Sequence, residues 1–153
     1  MNAHVFDHPP LRRFLLPLAA MLAASSLAWA DTRPRTATVK VGSHPLRVEV
    51  VSTDAERAKG LMHRSSLGAN DGMLFIFDEP AYHSMWMKNT LIPLSVAFID
   101  AQGVILNILD MEPQTETPHM SAGPSIYAIE TNKGWFAGKK VKAGDRVTGL
   151  PKK

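Results

Sequence analysis

The chain of 153 residues contains no cysteine. That absence excludes a disulfide framework, a thiolate nucleophile and a cysteine-ligated zinc site together. The sequence also lacks an apolar run of roughly 20 residues, the length a membrane-crossing helix requires. Its longest early run, Phe14 to Ala24, stops well short of that. No G-x-S-x-G elbow, H-E-x-x-H zinc helix or phosphate-cradling glycine loop occurs. Charged residues make up 20% of the chain and aromatic ones 7%, beside 45% hydrophobic residues. This is ordinary globular usage and excludes wholesale disorder. There is no internal repeat, and the length suits one domain.

The N-terminal residues carry a different kind of signal. Arg12 and Arg13 precede the apolar run, and Ala28-Trp29-Ala30 places small residues at −3 and −1 of a cut before Asp31. A charged start, an apolar middle and an A-x-A end are the three parts of a secretory leader. Residues 1–30 are therefore expected to be a signal peptide cleaved after Ala30, with 31–35 a short linker and 36–153 a single β domain. The alternative is a retained, uncleaved anchor. Phe14 follows Arg13 with no spacer residue, which favours the general secretory route over twin-arginine export. The expected location is periplasmic or secreted, with no membrane span after cleavage.

Removing the leader also changes the charge. It takes away Arg12, Arg13 and Asp7, so 17 basic and 14 acidic residues become 15 and 13. The isoelectric point of 9.3 thus overstates the basic character of the exported chain. Its basic residues are scattered, apart from Lys139-Lys140-Val141-Lys142 and Lys152-Lys153. A nucleic-acid partner needs a clustered stripe with interleaved aromatics, so none is expected.

The remaining pattern is mostly β. Thr36–Val41 and Leu46–Val50 alternate around Gly42-Ser43-His44-Pro45 and predict a hairpin. Thr53-Asp54-Ala55-Glu56 fits a capping box, and Ala55, Ala58, Leu61 and Met62 extend it into a helix near 54–64. Gly60 inside that helix reads either as a close approach by another segment or as an early helix end. Met73 to Phe77 is apolar at every position, as in a strand buried on both faces. Asp100-Ala101-Gln102-Gly103 is a type I turn joining strands 94–99 and 104–109. Residues 112–124 hold three prolines and no periodicity, the profile of a binding loop. Strand 125–131 puts Ile126, Ala128 and Glu130 on one face. A short helical turn is expected near 132–138, then a closing strand at 146–148. The fold class is thus α+β but mostly β: an antiparallel sandwich or barrel of seven or eight short strands.

Several motifs occur in a fixed order: Gly60-Leu61-Met62, Gly72 to Phe77, Trp86-Met87-Lys88-Asn89-Thr90, Ile92-Pro93-Leu94, Phe98-Ile99-Asp100, and Glu130 followed by Gly134. Together they resemble the DUF192 family, a widespread prokaryotic family of mostly-β domains often exported behind a signal peptide. The resemblance spans about residues 38 to 150. It implies a fold and a cluster of residues but no reaction. The family commonly has an acidic residue after the proline-leucine pair, where this sequence has Ser95.

Trp86, Met87, Lys88, Asn89 and Thr90 gather an indole, a thioether, a cation, an amide and a hydroxyl into five residues. One reading is a concave site with Trp86 as wall and the polar groups orienting a ligand. The other is that Trp86 and Met87 plug the interior while Asn89 and Thr90 shape a turn into Pro93. Glu130 should look inward, where a carboxylate needs a partner, and Lys88 is the expected one. Asp100 reads as a turn residue. A Cu(I) site would draw on His83, Met85, His119 and Met120, since thioethers favour that ion. A hydrolase would rest on Glu130, Lys88 and His83 as acid–base groups. The leading expectation is an exported, monomeric binding domain without cofactor, taking a small molecule or extended peptide at a barrel rim.

Overall fold

A computed structural model describes residues 34–152. The expected signal peptide and the start of the linker lie outside the described residues. Strands account for most of what is described: β1 (Thr36–Val41), β2 (His44–Val51), β3 (Asp71–Ala81), β4 (Ser84–Met85), β5 (Leu94–Ile99), β6 (Ile105–Met111), β7 (His119–Met120), β8 (Ser125–Asn132) and β9 (Val147–Thr148). Two short helices, α1 (Asp54–Lys59) and α2 (Trp135–Gly138), complete the set. Seven strands form one curled sheet in the order β6-β5-β8-β3-β2-β1-β9, and β4 and β7 form a separate two-stranded ribbon. The sheet's two edges meet at one end. There the Ile105 amide donates to the Asp145 carbonyl at 2.9 Å and the Gly144 amide to the Ile105 carbonyl at 2.8 Å. Closing strand edges on each other removes unpaired backbone groups that would otherwise recruit another chain.

Both expected hairpins are present, β1 with β2 and β5 with β6. The Asp100 carboxylate fixes the second turn by accepting from the Gln102 and Val104 amides at 2.9 and 2.8 Å. One pair departs from the antiparallel expectation: β2 and β3 run parallel. Parallel neighbours need a crossover of a dozen or more residues, and residues 52–70, containing α1, supply it.

The capping box forms as the sequence predicts. The Glu56 amide donates to Thr53 Oγ1, and the Glu56 carboxylate accepts from the Ser52 and Thr53 amides. Those amides hold the Glu56 carboxyl down at about 2. The helix nevertheless stops at Lys59, five residues before the expected end. Gly60 takes φ +46°, a conformation most side chains avoid, and its Cα faces the Phe75 ring so closely that a Cβ would lie 3.4 Å from it. Both readings of Gly60 therefore hold: it ends the helix, and a side chain packs against its backbone.

Alternation along the central strands builds two cores. Leu74, Ile76, Ala97 and Ile99 enter one, closed by Trp135 and Phe136 of α2. Met73, Phe75, Phe77, Leu94, Val96 and Phe98 enter the other, on the opposite face, covered by Leu61, Met87 and Ile92. The run from Met73 to Phe77 is apolar throughout because both faces of β3 are dry.

Arg57 ties α1 to the sheet. β2 ends opposite Phe75, which leaves the Ile76 carbonyl without a strand partner on that side. The guanidinium donates to it at 2.8 Å, to the Ser52 carbonyl at 2.6 Å and to Asp78 at 2.9 Å, and also reaches Asp54. Arg57→Ala removes all four contacts and leaves two carbonyls short of a charged donor. A loss of about 2 kcal/mol is expected, since bonds to charged groups are worth roughly 1.5–3 kcal/mol each and part is recovered by water. Urea unfolding with an unchanged m-value measures it. A loss below about 0.5 kcal/mol would mean that α1 docks without this residue.

Candidate functional site

A cavity of about 350 Å³ opens between α1, the turn after it, the end of β3 and the segment from His83 to Trp86. Its lining includes Phe75, Phe77, Trp86, Thr90 and Glu130, with Arg57 and Asp78 at the helix side. Four elements distant in sequence therefore converge on one hollow. A drug-sized ligand site begins at about 300 Å³.

Glu130 is its most unusual member. β8 lies in the sheet interior between β3 and β5, with Glu130 opposite Met73 on one side and Val96 on the other. Only 4% of the residue is exposed. No hydrogen bond or ion pair reaches its carboxyl among the described residues. Loss of water alone drives its pKa up to about 8. The group is thus a neutral acid at pH 7, because burial disfavours the carboxylate and no cation compensates. Lys88, the expected partner, is elsewhere: its Nζ lies 3.9 Å from Glu116 and 5.2 Å from the centre of the Trp86 ring. Residues 112–124 intercept it.

The Trp86–Thr90 motif divides between the two readings. Trp86 is 48% exposed and forms part of the cavity wall, whereas Met87 is fully buried in the second core. Asn89 is a turn residue, held at φ +53°, where asparagine is tolerated better than most. Its carbonyl accepts from the His63 amide at 2.9 Å. Thr90 is buried, lines the cavity, and donates from Oγ1 to the Lys88 carbonyl at 3.2 Å. So Trp86, Thr90 and Glu130 come together, while Met87, Lys88 and Asn89 do not line the hollow.

His83 also lines the cavity. Its ring stacks on Phe77 with centroids 3.7 Å apart, and Nε2 lies 3.1 Å from the Glu79 carbonyl, which fixes the ring in the wall. Of the acid–base set Glu130, Lys88 and His83, two members share the hollow and Lys88 does not. The ribbon divides the thioether–imidazole set as well. Met85 pairs directly with His119, so their side chains share a face with His83, while Met120 pairs with Ser84 and is exposed on the other face. His119 Nδ1 is buried without a hydrogen-bond partner.

Ser95 sits away from this hollow. It donates to Asp110 at 2.5 Å and accepts from the Gly134 amide at 2.9 Å. Asp110, directly opposite on β6, thus brings a carboxylate beside the position where an acid is commonly found.

Sequence reasoning missed Phe75, Phe77 and Arg57 as cavity residues. The signal for the first two was present in the uninterrupted apolar run of β3, but it gives burial and not proximity to an opening.

The family model DUF192, described as an uncharacterized ACR, matches residues 37–149. The chain belongs to the DUF192 family. Among solved structures, a DUF192-like fold recurs in a protein of unknown function from Novosphingobium aromaticivorans DSM 12444. It is 38% identical with a TM-score of 0.71, covering 73% of this chain and 84% of that one. A candidate transcription regulator from Sinorhizobium meliloti 1021 is 34% identical with a TM-score of 0.73, covering 77% of this chain and 96% of that one. No curated protein matches. The DUF192 match includes every wall of the cavity, from α1 through Glu130.

Proposed function

We propose that this DUF192 chain is an exported binding domain that takes a small molecule in the cavity between α1 and β8. One observation carries the reading. A buried carboxyl with no hydrogen-bond or ion-pair partner among the described residues lines a hollow whose wall includes a half-exposed tryptophan. The Glu130 carboxyl borders the hollow, so a ligand group entering there would meet an acceptor that no protein group among the described residues engages. The aromatic and aliphatic wall supplies apolar contact, and Glu130 and Thr90 supply orientation. Export rests on the Arg12-Arg13, apolar-run and Ala28-Trp29-Ala30 pattern. The volume favours a compact molecule over an extended peptide, which would need a groove along a strand edge.

The test uses tryptophan emission. Of the three tryptophans, Trp29 lies in the leader and Trp135 is buried in the first core, so ligand entry reports through Trp86. Fractions of a small-molecule extract containing the ligand should shift the emission of the wild type. Trp86→Phe should lose that shift while keeping its circular dichroism. Glu130→Gln should weaken binding about tenfold or more, the equivalent of roughly 1.4 kcal/mol. Retention of full affinity by both Glu130→Gln and Thr90→Val would place binding elsewhere.

A further inference from the structure

The chemistry of the cavity narrows the class of molecule it admits, granting that it is a binding site. Glu130 lies within the hollow with no cation paired to it, while the guanidinium of the lining, Arg57, is spent on Ser52, Ile76, Asp54 and Asp78. The walls mix charged and hydroxyl side chains with rings and thioethers. The Phe77–His83 stack forms one side, Met85 and Met62 contribute sulfur, and Trp86 lies at another. The Trp86 indole already receives a cation, since the Lys88 ammonium sits 5.2 Å from its centre. Aromatic faces attract cations through their quadrupole, most strongly where water is excluded.

We infer that the cavity binds a compact primary amine, whose ammonium group pairs with the Glu130 carboxylate while its carbon skeleton lies against Phe77 and Trp86. In the empty protein Glu130 holds a proton. Entry of the ammonium ion drives that proton from the carboxyl to solvent, leaving a carboxylate–ammonium pair, and charge is conserved by the released proton. No bond to carbon changes. Other titratable groups line the same hollow: Arg57 and Lys59 from α1, Asp78 and Glu79 from β3, and His83. Arg57 is shared between Asp54 and Asp78, and Asp78, Lys59 and Glu79 are all exposed, so none of the three provides a buried counter-charge. The volume of about 350 Å³ is ample for a single ring, given that a protein cavity of about 150 Å³ holds benzene.

Three probes of one shape separate the possibilities: benzylamine, benzamide and benzoate, each titrated by calorimetry against the wild-type chain from pH 5 to 8. Benzylamine should bind best, with about one proton released per molecule bound up to roughly pH 7 and less toward pH 8. Its apparent affinity should rise about tenfold per pH unit up to roughly pH 7, because the competent carboxylate becomes more populated. Glu130→Gln should lose at least tenfold in affinity and all of the slope, whereas His83→Gln should keep the slope. If benzamide or benzoate binds more tightly than benzylamine, or if affinity falls as pH rises, the amine assignment is wrong and the cavity remains a ligand site. If the slope disappears in His83→Gln and persists in Glu130→Gln, the assignment is also wrong. If none of the three binds at millimolar concentration, both the amine assignment and the cavity reading fall.

Discussion

Between about pH 4.5 and pH 8 the wild-type protein should lose on the order of 5 kcal/mol of stability, and Glu130→Gln should abolish that loss. The carboxyl is raised from 4.5 to about 8 by burial, with no offsetting partner. Over that window the folded state keeps a proton that the unfolded chain has released. Stability then falls with pH at roughly 1.4 kcal/mol per unit, is fully present below the unfolded value, and levels off above the folded one. Groups of the opposite kind act in a different range. Glu49, Glu56, Asp71 and Asp145 are all lowered by their partners, so their contributions are lost only as pH falls below the ordinary carboxylate range. Maximum stability should therefore sit near pH 5. Since whole domains are stable by only about 5–15 kcal/mol, the effect is large. Urea titrations of both proteins across the range measure it, and parallel curves for wild type and variant would show that Glu130 is not responsible.

Gly72→Ala should be nearly as damaging, at about 3 kcal/mol or more. Gly72 lies near the start of β3, between β2 and β8. A Cβ there would stand 2.6 Å from the Glu130 carbonyl oxygen, with Leu46 and Thr131 methyl groups at 3.4 Å. The obstruction is backbone, so no rotamer change relieves it, and the strands must separate at the residue that supplies the cavity's acid. Probe binding should fall along with the melting temperature. Gly138→Ala is the matched control, because nothing lies within 4 Å of the position and the residue is helical. It should be neutral or slightly stabilising, as alanine favours the helix. Equal melting temperatures for Gly72→Ala and wild type would mean that β3 and β8 are less tightly apposed at this point.

Local chemistry was legible in the sequence where it is decided locally. The Asp100 turn, the Thr53–Glu56 box and the β1–β2 hairpin are each contained within a few residues, and each formed as expected. Glu130 was recognisable as inward-facing because it keeps step with Ala128 on a period-2 strand. What failed depended on partners far away in the chain. The helix stops at Lys59 because Gly60 turns to φ +46°, with Phe75, fifteen residues later, packed beside it. Lys88 meets Glu116 because β4 pairs with β7, a two-residue strand inside a stretch that shows no periodicity. Adjacent residues of an extended segment face opposite ways, which leaves open whether Trp86 or Met87 meets the core. The cavity itself had no sequence signature, since its walls come from four separated segments and exist only after the sheet curls.

A carbon-13 NMR titration of the Glu130 side-chain carboxyl, assigned by comparison with Glu130→Gln, tests the central claim most directly. The account predicts a midpoint near 8 in the free protein and a lower one when benzylamine is bound. A midpoint in the ordinary range, near about 4.5, unmoved by the amine, would contradict it.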